Sequence, residues 1–98
     1  MIRVLFFIDR GEASAAYAED LFLPLLRDLP GVRRLEAARV VARASGDLRA
    51  EIVIDLLFDG EDEMNQAFAS AAGRRVSREI MQNAGAGMEM VTAESLAG

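Results

Sequence analysis

Ninety-eight residues are one domain's worth of chain, able to build one core, and 52% hydrophobic with 28% charged residues is a globular balance that excludes disorder. A net charge of -5, from 11 basic and 16 acidic side chains, opposes approach to nucleic acid phosphates and to anionic membrane surfaces. The chain has no cysteine and no histidine, which excludes disulfides and thiolate chemistry and removes the usual metal ligand and the usual general base near neutral pH.

Ile2 to Ile8 is short, rich in β-branched and aromatic residues and bounded by Asp9-Arg10-Gly11, which predicts a strand. Ser14 is placed to cap a helix running to about Asp28, with Tyr17, Leu21, Leu25 and Leu29 four apart on one side and Phe22 and Leu26 widening the apolar stripe. Leu29-Pro30-Gly31 stops it. Val32 to about Arg43 reads as a second strand whose charges suit a sheet edge, and Ser45-Gly46-Asp47 as a turn. Ala50 to Phe58 is a third, strongly apolar strand ended by Asp59-Gly60. Two helical stretches follow, Glu61 to about Ser70 and Arg74 to about Gln82, with Gly73 as the expected separator, and Met88 to Glu94 alternates as a final strand.

The order strand, helix, strand, strand, helix pair, strand is that of a split βαβ, ferredoxin-like α+β subunit. One domain over residues 1–98 is expected, with a four-stranded antiparallel sheet and its helices on one face. In that topology the first and third strands are central, and they are the two most apolar here. Ile2, Val4, Phe6 and Ile8 share one face with Ala50, Ile52, Ile54, Leu56 and Phe58, which should carry the helices. The opposite face alternates Arg3, Leu5, Phe7 and Asp9 with Glu51, Val53, Asp55 and Leu57, too apolar for a solvated sheet and too charged for a closed core. A second copy of the chain is the expected cover, through Arg3, Leu5, Phe7, Val53, Asp55 and Leu57.

Pro24 lies mid-helix, where it removes the bond to the carbonyl of Asp20 and should kink the chain. The stretch Tyr17 to Val32, YAEDLFLPLLRDLPGV, resembles the helix signature of the EthD family among the dimeric α/β-barrel proteins. Members show an early aromatic residue, then His-Ala-Pro, then Leu-Pro-Gly; here these are Tyr17, Phe22-Leu23-Pro24 and Leu29-Pro30-Gly31. The resemblance implies a ferredoxin-like homodimer whose two sheets form a barrel, with a pocket between helix and sheet. Phe6, Tyr17, Leu21, Phe22 and Arg39 are its expected lining. Phenylalanine at position 22 neither transfers a proton nor binds a metal, so histidine-dependent chemistry does not carry over.

A small apolar or aromatic ligand is therefore the leading expectation. The alternatives are a cofactor-independent oxygenase, isomerase or cyclase assisted by Tyr17 or Asp55, and a purely structural dimerisation module. No metal and no cofactor is expected. Gly85-Ala86-Gly87 follows a helix and precedes a strand, the wrong order for a phosphate loop, and Glu61-Asp62-Glu63 suits a helix start. Met64, Met81, Met88 and Met90 read as gap-fillers. The amino terminus has no signal-like apolar run, no stretch is long enough to span a bilayer, and a cytoplasmic protein is expected.

Overall fold

The computed structural model describes residues 1–96, so the last two residues of the 1–98 span lie outside the described residues. The strands are β1 (Ile2–Ile8), β2 (Arg34–Arg39), β3 (Ile52–Phe58) and β4 (Met88–Glu94). They form one antiparallel sheet in the order β2-β3-β1-β4, with Ile2 opposite Phe58 and Ile8 opposite Ile52 across its centre. β1 and β3 alternate strictly between buried and half-exposed residues, so the pleat alone assigns every second side chain to the core. Three helices cover one face: α1 (residues 11–27), α2 (Glu61–Ala69) and α3 (Ala71–Asn83). Val4, Phe6, Ile8, Ile54, Leu56 and Phe58 on the sheet close against Phe22, Leu26, Ala67 and Val76 on the helices. This is the ferredoxin-like α+β arrangement read from the sequence. No helix among the described residues is long and apolar enough to cross a membrane.

Helix α1 departs from a simple 3.6-residue helix. It opens with a 3-10 turn over Gly11–Ala13, continues as α over Ser14–Tyr17, widens to a π turn over Ala18–Phe22 and closes as α over Leu23–Arg27. Ser14 is thus inside the helix rather than its cap. Its hydroxyl accepts from the Arg10 N–H at 2.7 Å and donates to the Gly11 carbonyl at 2.8 Å, which satisfies a residue only 2% exposed. In the π turn the Leu23 N–H donates to the Ala18 carbonyl, five residues back. The extra residue comes immediately before Pro24, whose ring has no N–H to give and would collide with the carbonyl four residues earlier. The wide turn also shifts the buried stripe. Ala18, Phe22, Leu23, Leu26 and Leu29 face the core, while Leu21, expected on the buried side, is 44% exposed.

Three boundaries move for identifiable reasons. β2 ends at Arg39, not Arg43, and β3 begins at Ile52, because Arg43 turns back to donate to the carbonyls of Leu48 and Ala50 and closes the connecting loop on itself. The break between α2 and α3 is Ser70, in extended geometry, whose hydroxyl caps α3 by accepting from the Gly73 N–H at 3.0 Å. Gly73 lies within α3 instead, where an added Cβ would come within 2.2 Å of the Ala67 carbonyl oxygen. It permits the two helices to turn sharply against one another.

Gly73→Ala is expected to lower stability by about 3 kcal/mol, since the obstacle is backbone and cannot rotate away. Urea unfolding should show a lower midpoint with an unchanged slope, and an unaltered midpoint would contradict this packing.

Candidate functional site

The sheet's alternation presents Phe6 to the helices, and the π turn aims Phe22 at it. Their rings meet edge to face at 4.9 Å and both are fully buried. Tyr17 stacks on Phe22 at 6.0 Å, with the Arg10 guanidinium 4.2 Å above its ring. Phe6, Phe22 and Tyr17 thus form a continuous aromatic column, and the space beneath the middle of α1 is filled by it.

The Tyr17 hydroxyl donates to Glu79 Oε1 at 2.7 Å, and the Asn83 side-chain amide donates to the same carboxylate at 3.0 Å. Burial, and then the hydrogen bond to Glu79, push the Tyr17 hydroxyl above its ordinary pKa of 10.0, against the opposing pull of Arg10. Tyr17 therefore stays protonated across the physiological range and its proton is already engaged. Glu79, Asn83 and Arg10 escaped the sequence analysis because nothing in linear spacing relates residue 79 to residue 17.

Open space lies to one side of the column, between α1 and the edge strand β2. There Arg39, opposite Ile52 and on the helix side of the sheet, lies between two lobes. The inner lobe, about 100 Å³, is lined by Ala15, Ala18, Leu23, Ala37 and Ile52 with Glu19. The outer lobe, about 250 Å³, lies against Gly11, Glu12, Ser14 and Glu51. The void exists because three alanines, at 15, 18 and 37, occupy positions where larger side chains would close it. Among the described residues the Arg39 guanidinium has no hydrogen-bond or ion-pair partner, whereas Glu51 is held by Arg43 at 3.5 Å. Of the expected lining residues, Arg39 borders this cleft; Phe6, Phe22 and Tyr17 stand together beside it as packed rings, and Leu21 lines neither lobe.

On the uncovered face of the sheet the ladder brings three rows together: Arg34, Leu57, Arg3 and Ala93; Glu36, Asp55, Leu5 and Val91; Ala38, Val53, Phe7 and Glu89. Arg3 and Asp55 form an ion pair within the sheet, Nη2 to Oδ2 at 3.0 Å and Nε to Oδ2 at 3.2 Å. The β4 members of the rows, Glu89, Val91 and Ala93, follow from the alternation of that strand. Tyr17 and Asp55 lie on opposite sides of the sheet, so the two do not share one site. No group of three or more carboxylates among the described residues is arranged to hold a metal ion.

Two outcomes follow from this geometry. Phe22→Ala should cost about 3–5 kcal/mol in chemical denaturation, as expected when a fully packed ring leaves a cavity. Because the folded protein holds Tyr17 protonated, its stabilising effect is complete below pH 10.0 and is lost as pH rises toward the higher folded-state value. The ultraviolet absorbance of tyrosinate should accordingly be missing from native protein at pH 10, where a free tyrosine is half ionised, and should appear together with loss of structure.

No protein-family model matches the sequence, and no curated protein does. Solved structures do match the fold. An ethyl tert-butyl ether D (EthD) family protein from Bacillus halodurans superimposes with a TM-score of 0.82 at 20% identity, over 98% of this chain and 99% of that one. A dimeric ferredoxin-like protein of unknown function from Jannaschia gives 0.68 at 15% identity, over 96% and 98%. An antibiotic biosynthesis monooxygenase gives 0.62 at 12% identity, over 99% and 100%. Over its whole described length, then, the chain is EthD-like in fold, with the dimeric ferredoxin-like proteins among its structural neighbours.

Proposed function

We propose that the protein is a cytoplasmic homodimer that binds a small aromatic molecule presenting a carbonyl oxygen, in the cleft between α1 and β2, without histidine-based chemistry. The observation that carries the ligand reading is Arg39, a guanidinium free of partners beside an alanine-walled void. A binding pocket needs an apolar body and a few placed polar groups, and Ala18, Leu23, Ala37 and Ile52 supply the former while Arg39 supplies the latter. Glu12 and Glu19 stand nearby and would repel a carboxylate. A neutral acceptor, such as a quinone or aryl ketone oxygen, takes the hydrogen bond without that repulsion.

The dimer reading rests on the uncovered sheet face. Leu5, Phe7, Val53, Leu57 and Val91 form an apolar area on which Arg3 and Asp55 already neutralise each other, so a second copy can cover that pair without leaving either of its charges unpaired. The structural neighbour described as a dimeric ferredoxin-like protein supports a dimer. With two sheets face to face, the helices and the α1–β2 cleft remain on the outside of the assembly, accessible to ligand.

Sedimentation at micromolar concentration should give a mass of twice 10.6 kDa, and Phe7→Asp should give the single-chain mass with the fold retained by circular dichroism. A wild-type monomer would remove the dimer from the proposal. For the cleft, 1,4-naphthoquinone should raise the melting temperature more than 2-naphthoate does, and Arg39→Ala should weaken quinone binding about tenfold, the worth of one hydrogen bond to a charged donor. Equal binding by the Arg39→Ala protein would remove Arg39 from the site.

A further inference from the structure

The opposite flank of the helical layer carries a second concavity. Between α2, α3 and the edge strand β4 runs a groove of about 360 Å³ lined by Val4, Met64, Asn65, Phe68, Ser77, Ile80, Met81, Met90 and Thr92. In a chain with 28% charged residues, not one of these nine is ionisable. Its walls are aliphatic, aromatic and thioether, and Asn65, Ser77 and Thr92 are its only polar side chains. None of those three has a side-chain hydrogen bond to another described residue. Met81 and Met90, 79% and 44% exposed, stand on α3 and β4 at the sides of the groove. The gap-filling role expected of the methionines therefore fits Met88, which is buried, and not these two.

We infer that this groove is a second ligand site, for a neutral, elongated apolar molecule with a hydroxyl or carbonyl end. Its volume falls within the usual range for small-molecule pockets, roughly 300–1,000 Å³. The occupant must be uncharged, because a carboxylate or ammonium entering a groove with no counter-charge gives up hydration and gains no partner. It must be apolar over most of its length, since its gain comes from covering Phe68, Ile80, Met81 and Met90. One polar end is accommodated by the uncommitted amide and hydroxyls of Asn65, Ser77 and Thr92. Methionine suits the role, because its unbranched thioether adapts to ligands of differing shape. The groove is separated from the Arg39 cleft by the aromatic column and by β1 and β3, so its occupancy does not depend on the proposed function of that cleft.

The chain has five methionines, which provide a site-resolved test. In protein labelled with 13C at the methionine methyls, titration with 1-decanol should shift the signals of Met64, Met81 and Met90 and leave Met1 and Met88 in place. Decanoate, at a pH where it is ionised, should bind at least tenfold more weakly. Ser77→Phe, which fills the groove from α3, should abolish the decanol shifts while quinone binding at the Arg39 cleft persists. The wild-type titration decides the matter even if that variant fails to fold. Absence of shifts, shifts spread over all five methyls, or equal affinity for decanoate would each overturn the site. Shifts of Met81 and Met90 on dilution without any alcohol would overturn it too, by assigning the groove to a contact between copies.

Discussion

The antiparallel pairing of β1 with β3, from Ile2 opposite Phe58 to Ile8 opposite Ile52, sets the terms for the rest of the molecule. Because these strands are the two inner ones, each is paired on both edges, and only the faces remain free to differ. Their two-residue period sends Val4, Phe6, Ile54 and Leu56 to the helices and Arg3, Leu5, Val53 and Asp55 to the other side. A one-residue slip of either strand would turn its charged residue, Arg3 or Asp55, beneath the helices and expose its buried ring, Phe6 or Phe58. The register is therefore held by the whole hydrophobic free energy of the core.

Helix α1 shows how a local covalent constraint reaches the site. A proline inside a helix needs a vacant position in the hydrogen-bond ladder, and the π turn over Ala18–Phe22 provides it. The same widening rotates Leu21 outward and Phe22 inward. Phe22 then occupies the volume beneath the helix, in contact with Phe6 and Tyr17, and the remaining free volume is displaced toward β2, where three alanines leave it unfilled. Pro24, a residue that lines none of the described cavities, thereby decides where an open cleft can be.

The elements set by period and punctuation were legible in the sequence. β1 and β4 have the boundaries expected of them, and both faces of the central strands follow from alternation. What was not legible involved a change of period or a contact between distant residues. A 3.6-residue reading places Leu21 with Tyr17 and Leu25, and it fails at the π turn because the extra residue is invisible until the proline is accommodated. Gly73 looked like a separator because glycine breaks helices, but its lack of a Cβ serves close packing on Ala67. The capping serine three residues earlier was the true break. Tyr17 was legible as a lone aromatic with a hydroxyl, whereas its acceptor Glu79 was not, since that pairing exists only once α1 and α3 lie on the same sheet.

The ion pair between Arg3 and Asp55 closes within a single subunit. A charge that is satisfied at home does not discriminate between partners, because neither attraction to the right chain nor repulsion of the wrong one is available from it. In the proposed dimer the choice of mate across this face then falls to the fit of Leu5, Phe7 and Val91 against their counterparts and to Glu89, which has no ion-pair partner among the described residues. Two sister proteins that keep the same arginine and aspartate, and whose apolar side chains differ little in volume, would exchange subunits freely. Mixed assemblies carrying two different helix-side clefts would result, without any change to the surface proposed to join them.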